Sequence, residues 1–431
     1  MHRHSPPTSG PVPASRLEAP SAQHPRTQGA TGRSGTAATP AARGLPRYVL
    51  AATLARTADG GAVLAIVLLV TTSGAPGWLA GLLGAAITAP HLLGPFIARR
   101  LDTAQDGRTV IAGACVIHGA TLAAAVLLYP LTWPIVPGLL LVASGLVGPL
   151  LTGGISSRLP AIAGPDRLGQ RRAQGWDVAT YGIAGTIGPS IVAVVSVRAD
   201  PVAAALMLAA ATFVAAAFVR LLPYAPPAAH PSEVPSPGRT LSMMAAFGPL
   251  RRTLYLTMVV ALSVAALPIA AIASTDRLHI DHAAAGLLTA AYGLGGLAGS
   301  AGVMVRPFTA DADRLMTWLA VAVATALIGS TLASTFALAL AAYAVAGVLN
   351  SCFFAATLAA RSEYAPRRAR GQVFVWIGAL KITAGSAGTA LAGLVVTGAA
   401  QLPLALAATL IAVAVAASII DRRTDRTPER P

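Results

Sequence analysis

Twelve apolar stretches of 19 to 26 residues, joined by connections that alternate between arginine-rich and arginine-poor, constrain this chain more than any other feature. A hydrocarbon core about 30 Å thick is crossed by roughly 20 helical residues, so each stretch is long enough to span a bilayer. Lipid offers the backbone no water, and an unbroken apolar stretch satisfies its N–H and C=O groups there as a helix. The expected fold class is all-α integral membrane, with twelve transmembrane helices. Of 31 Lys+Arg residues, 27 fall on one side of this threading, two (Arg198 and Arg277) on the other and two (Arg56 and Lys381) inside spans. Cytoplasmic loops retain Lys and Arg, which predicts that both termini are cytoplasmic.

Composition agrees with that solvent. The chain of 431 residues is 55% hydrophobic and 11% charged, with a mean hydropathy of +0.66, too apolar for a soluble domain of this size. A net charge of +15 would suggest nucleic acid in a soluble protein. Here the arginines flank spans on one face, where anionic headgroups attract them, so lipid and not nucleic acid is the expected partner. Cys115 and Cys352 both fall within spans, and their separation suggests neither a disulfide framework nor a zinc site. His279 and His282 sit close together on an external loop, a pair of the kind usually left in solvent, and no metal or cofactor is expected. Enzyme signatures are absent: there is no His-Glu-x-x-His, no Gly-x-Ser-x-Gly and no phosphate-binding glycine loop ending in lysine.

The longest internal connection, residues 223–250, is rich in proline and polar residues and divides the spans six and six. A five-residue echo supports a duplication. Arg171-Arg172-Ala173-Gln174-Gly175 opens span five and Arg367-Arg368-Ala369-Arg370-Gly371 opens span eleven, at the one offset that six plus six predicts. The predicted organisation is a disordered cytoplasmic tail over 1–46, a six-helix bundle over 47–222, a cytoplasmic linker over 223–250, a second bundle over 251–420 and a short tail over 421–431. The two bundles are expected to be pseudo-symmetric.

With that plan on the page, the chain resembles the major facilitator superfamily across Tyr48 to Ile420. After span two, Gly94-Pro95-Phe96-Ile97-Ala98-Arg99-Arg100-Leu101-Asp102, followed by Asp106-Gly107-Arg108, is similar to the family's glycine-rich run with its acid and basic turn. In span five, Tyr181 to Pro189, with Gly182, Gly185 and Gly188, resembles the Gly-Pro motif of drug-exporting antiporters. Span four has no arginine between Val142 and Gly148, where proton-coupled exporters often carry one. The resemblance implies a secondary transporter that exports small amphipathic molecules by alternating access in exchange for protons, working as a monomer in a bacterial inner membrane. Solute uptake, or a scaffold that does not transport, is the alternative.

Three ionisable residues inside spans are candidates for coupling, since a charge at the bilayer centre costs about 2.5 to 3.5 kcal/mol on insertion scales. Arg56 and Asp59 are three apart on span one and can pair on one helical face. That pair is either a proton relay, with Asp59 balanced between desolvation and Arg56, or a static structural contact. Lys381 in span eleven either snorkels to the headgroups, packs locally, or bridges to Asp59 across the two halves. The family resemblance adds a gate, in which Asp102 meets the first amides of span eleven and Arg370, while by the repeat Asp177 meets Arg306. It also places Gly188 and Pro189 at a rocking interface between spans five and eight. For substrate, it implies a cavity lined by spans one, four, seven and ten, offering Ser144, Tyr343, Asn350 and Phe354 among few charges.

Overall fold

The computed structural model describes residue 2 and residues 40–281, 284–397 and 399–425. The spans belong to one compact unit, Ala38–Pro431. Spans one to six are Gly44–Thr72, Gly77–Thr103, Gly107–Leu128, Ile135–Ala163, Arg167–Arg198 and Pro201–Arg220. Spans seven to twelve are Gly248–Ala273, Ala285–Val305, Ala312–Leu332, Phe336–Tyr364, Arg367–Val395 and Leu402–Thr424. Alanine and glycine are abundant in them, small residues that let helices approach closely where no hydrophobic effect drives association.

Packing follows a repeat. In the first half, span one lies against five and six, span three against four and six, and span two against four. In the second half, seven lies against eleven and twelve, nine against ten and twelve, and eight against ten. Each pair in one half becomes a pair in the other when six is added. The halves meet through spans five and eight and through two and eleven, exchanged by the same operation. The echo read in the sequence sits at these two crossings. A Cβ added at Gly175 would meet the backbone of Met304 and Ser300 at the end of span eight, and one at Gly371 would meet Asp102 at the end of span two.

Charges organise the arginine-rich ends. Asp106, Asp166 and Asp311 cap spans three, five and nine, accepting from the amides of Arg108, Gly169 and Arg314 at 2.9, 2.6 and 3.1 Å. Such caps satisfy amides that the first helical turn leaves open. Arg220 at the end of span six reaches Asp106 at 3.2 Å, and Arg422 at the end of span twelve reaches Asp313 at 3.1 Å, another pair related by the repeat.

Three expectations about boundaries are corrected. The helix of span one begins at Pro40, inside the region read as tail; of the remaining tail, only residue 2 is among those described. The linker contains a helix, Pro237–Ala246, whose Met244 is fully buried. Trp376 and Gln372 of span eleven donate to the carbonyls of Pro237 and Pro235, each at 3.1 Å, and Arg99 of span two donates to that of Val234 at 3.3 Å, so the linker is bonded to both halves. At the far end Asp421 to Thr424 remain helical, because Asp421 pairs with Arg251 and Asp425 with Arg252. Residues 426–431 lie outside the described residues, as does His282, while His279 ends a short helix with φ 52°.

Arg108, hydrogen-bonded to Asp106, holds that carboxyl down to about 2. A depressed pKa stabilises the fold above the unfolded value and loses that effect as pH falls through the folded one. Asp106→Ala is expected to lower stability by about 1 kcal/mol. The gap in thermal midpoint from the parent should be full above pH about 4 and close as pH approaches about 2; a gap independent of pH would contradict the assignment.

Candidate functional site

The centre of the first half is a buried ion pair. Arg56, 2% exposed, donates from Nη1 to Asp177 Oδ1 at 2.7 Å, and Asp177 is fully buried. Tyr48 donates to the same oxygen at 2.6 Å, and Ser156 donates to Oδ2 at 2.8 Å. Nη2 of Arg56 donates to Ser156 Oγ at 2.8 Å and to the Thr152 carbonyl at 3.2 Å, while Nη1 also reaches Thr180. Span four makes this possible through a π-helical stretch, Leu150–Gly154, just after Pro149. Such stretches break the regular hydrogen-bond ladder and often mark functional sites. The network ties spans one, four and five together.

Two expected pairings therefore fail. Arg56 does not pair with Asp59, because its guanidinium points to spans four and five, where it finds the Asp177 carboxylate and the Thr180 hydroxyl on span five and the Ser156 hydroxyl on span four, in place of one carboxylate on its own helix. Asp177 does not meet Arg306, because Asp177 is turned into the bundle while Arg306 stays exposed at the end of span eight. Asp59 instead faces His91 Nε2 of span two at 3.5 Å. His91 is buried and bonds through Nδ1 to the Ile87 carbonyl at 2.9 Å. A second buried histidine, His118, meets Ser144 Oγ at 2.9 Å.

Two connected cavities lie between the halves. An inner chamber of about 190 Å³ is lined by Arg56, Asp59 and Thr152 from the first half and by Arg361 and Lys381 from the second. An outer cavity of about 590 Å³ is lined by spans five, seven, eight, ten and eleven, including Val260, Val264, Phe353 and Asn350. Tyr181, Gly185, Phe354, Lys381 and Ile382 line both. The wall thus differs from the expected one, since spans one and four reach only the inner chamber.

Lys381 points into these cavities and does not snorkel. Its Nζ lies 3.6 Å from the centroid of Phe354 and 5.4 Å from that of Tyr181. Among the described residues no carboxylate lies within ion-pair distance of it, so the bridge to Asp59 is not formed. Asn350 donates to Tyr292 Oη at 2.7 Å on the outer wall, and Phe354 stands where the cavities meet. Tyr343 and Ser144 are away from both. Tyr343 is buried and donates to the Leu267 carbonyl at 3.1 Å, and Ser144 is buried against His118, because packing turned those helix faces inward. A Cβ at Gly188 would meet the Thr57 carbonyl at 2.7 Å, so this glycine serves the contact of span five with span one, not with span eight. Pro189 follows it inside the same helix.

Contacts close the arginine-rich end between the halves. Asp102 accepts from the amides of Gly371 and Gln372 at 2.8 and 2.9 Å, the carboxylate meeting the positive end of span eleven. Arg370 takes no part in an ion pair there and donates to the Ser362 carbonyl at 3.4 Å. Glu363 of span ten receives Arg171 of span five at 2.8 Å and Arg167 at 3.5 Å, a second tie that the loop sequence did not suggest.

Sequence reasoning missed His91, His118 and Arg361. The two histidines interrupt apolar segments, and the rule applied to Arg56 and Lys381 covers them as well. Arg361 stands among the arginines flanking span ten in the sequence, and only the continuation of that helix to Tyr364 brings it to the chamber.

No protein-family model matches the chain, and no curated protein sequence does. Solved structures do. The human organic anion transporter MFSD10 (TETRAN) superposes with a TM-score of 0.68 at 15% identity, covering 88% of this chain and 99% of that one. The fucose:proton symporter FucP of E. coli gives 0.66 at 16%, covering 89% and 99%. A bacterial homologue of the iron transporter ferroportin, in its outward-facing state, gives 0.69 at 13%, covering 88% and 99%. The chain therefore has the fold of the major facilitator transporters, and these neighbours are membrane transporters rather than enzymes.

Removing one partner of a buried ion pair costs about 3 to 5 kcal/mol, since it strands the other charge. Asp177→Ala should accordingly lower the yield of folded protein and its thermal midpoint sharply, whereas Arg306→Ala should leave both unchanged. Asp102→Asn should loosen the closed end, raising the labelling rate of a cysteine placed at Phe374 on the order of tenfold, since about 1.4 kcal/mol of lost helix-terminus attraction is one decade. An unchanged rate would show that the Glu363 tie alone holds that end.

Proposed function

We propose that the protein is a secondary active transporter that carries small amphipathic molecules out of the cell by alternating access, in exchange for protons. The observation that carries this reading is the pair of cavities between two pseudo-symmetric halves, which the contacts described above tie together at the arginine-rich end. With that end cytoplasmic, the state described is one whose cavity is closed to the cytoplasm. Rocking the halves about the crossings of spans five with eight and two with eleven would open it there, the motion by which transporters built from repeats present one site to each side in turn. The span-five motif from Tyr181 to Pro189 favours export. Uptake is the outcome that a directional assay would reveal.

For the proton step the structure offers Asp59 with His91. Asp59 faces the inner chamber, where Arg56 lies on its own helix, His91 approaches from span two, His118 acts from span three and Lys381 shares the space from span eleven. Arg56 is committed to Asp177, which leaves Asp59 as the chamber carboxylate able to exchange a proton with the cavity. A protonation change there alters the charge of the chamber by a full unit at low dielectric, where it acts strongly on any bound substrate.

Reconstituted vesicles test this. Substrate movement driven by a pH gradient should fall at least tenfold in Asp59→Asn, while exchange of labelled for unlabelled substrate at equal pH persists. Gradient-driven movement equal to that of the parent would remove Asp59 from coupling, and accumulation only in the direction of proton flow would replace antiport with uptake.

A further inference from the structure

The inner chamber holds two cations without an acidic partner. Arg361 is 1% exposed, yet its one side-chain hydrogen bond among the described residues runs to Thr357 Oγ1 at 3.4 Å, and its Nε has no partner at all. Lys381 shares that chamber, its Nζ set against the rings of Phe354 and Tyr181 and, among the described residues, in no ion pair. Both flank Phe354, Arg361 Cζ at 5.8 Å from its centroid and Lys381 Nζ at 3.6 Å. Tyr181, edge-on to Phe354 at 4.9 Å, carries Arg56 on its ring at 3.6 Å. Three cations therefore surround one aromatic pair. Of the carboxylates nearby, Asp177 is engaged by Arg56, Tyr48 and Ser156, while Asp59 stands 3.5 Å from His91 and, among the described residues, within ion-pair distance of neither Lys381 nor Arg361.

Buried charges are retained in membrane proteins where they pair or line a substrate path. Ring faces offset part of the cost of a desolvated cation but supply no negative charge. The missing component is an anion, and the geometry points to where it sits: we propose that the substrate of this site is an organic anion whose carboxylate, or a group of like charge, is held between Arg361 and Lys381, with its apolar body in the outer cavity. This rests on the transport reading above and names the charge class of its substrate. The inner chamber of about 190 Å³ has room for a head group, and the outer cavity of about 590 Å³ falls within the usual range for a small-molecule site. Val260, Ala261, Val264, Leu267 and Phe353 give that outer wall its apolar character. Arg361 can grip a carboxylate with two parallel bonds and Lys381 with one compact charge, so the two are not interchangeable.

The test uses the full chain in nanodiscs, with benzoate, 4-phenylbutyrate and octanoate as probes, each beside its amide and its amine. At least one carboxylate should raise the thermal midpoint by about 5 °C at saturation, while its amide and amine do not. Arg361→Gln and Lys381→Gln should each raise the carboxylate concentration needed for that shift at least tenfold, and Lys381→Arg, which keeps the charge, should retain the preference for the acid. Equal stabilisation by amide or amine, an unchanged response in both glutamine variants, or an equal effect of chloride or inorganic phosphate would overturn the proposal. Reconstitution separates the two readings. Anion-selective binding without movement across the vesicle wall would end the transport reading and leave the site, whereas movement of neutral probes that ignores Arg361→Gln would end the site and leave transport.

Discussion

A charge inside hydrocarbon must be answered by another charge, by hydrogen bonds or by water, and the pair of Arg56 with Asp177 is where this chain meets that demand most completely. Four hydrogen-bonding residues surround the pair, and together they lock spans one, four and five into one register. The first half thereby acquires a stiff centre. Everything that faces the inner chamber from that side, Asp59 included, is positioned by helices this network has already fixed.

The two halves share a scaffold but divide the chemistry. Helix pairing, capping acids and the glycine crossings repeat with an offset of six spans. The charges around the chamber do not repeat: the first half brings Arg56 with its partner Asp177 and the carboxylate of Asp59 with its histidine, and the second brings Lys381 and Arg361, its own buried pair of Arg252 with Asp313 lying away from the chamber. That asymmetry places a positive field on one side of the chamber and a titratable group on the other. Because like and opposite charges interact strongly in a water-poor space, a change of charge on one side of the chamber is felt on the other without direct contact.

Closure at the arginine-rich end uses different means from the chamber. Asp102 meets span eleven through backbone amides, and Glu363 meets span five through arginines. Both ties are polar, and water can replace them when the halves part. The buried pair of Arg56 and Asp177 has no such substitute. The physical contrast separates contacts that hold a half together from contacts that can open between halves.

The meeting of Asp102 with the start of span eleven was implied by the family resemblance alone. Span number, the alternation of arginine and the six-plus-six repeat could all be read from the chain, because hydropathy, charge and internal echo are properties of order along it. Partner choice could not. Arg56 with Asp177 rather than Asp59, Asp59 with His91, Tyr343 and Ser144 turned to the core, and Arg361 carried into the membrane by an extra helical turn all depend on how each helix is rotated about its axis. Successive residues on a helix point about 100° apart, so rotation decides which of two neighbours faces a cavity. The packing of small residues between neighbouring helices, together with buried networks such as that of Arg56 and Asp177, sets that angle.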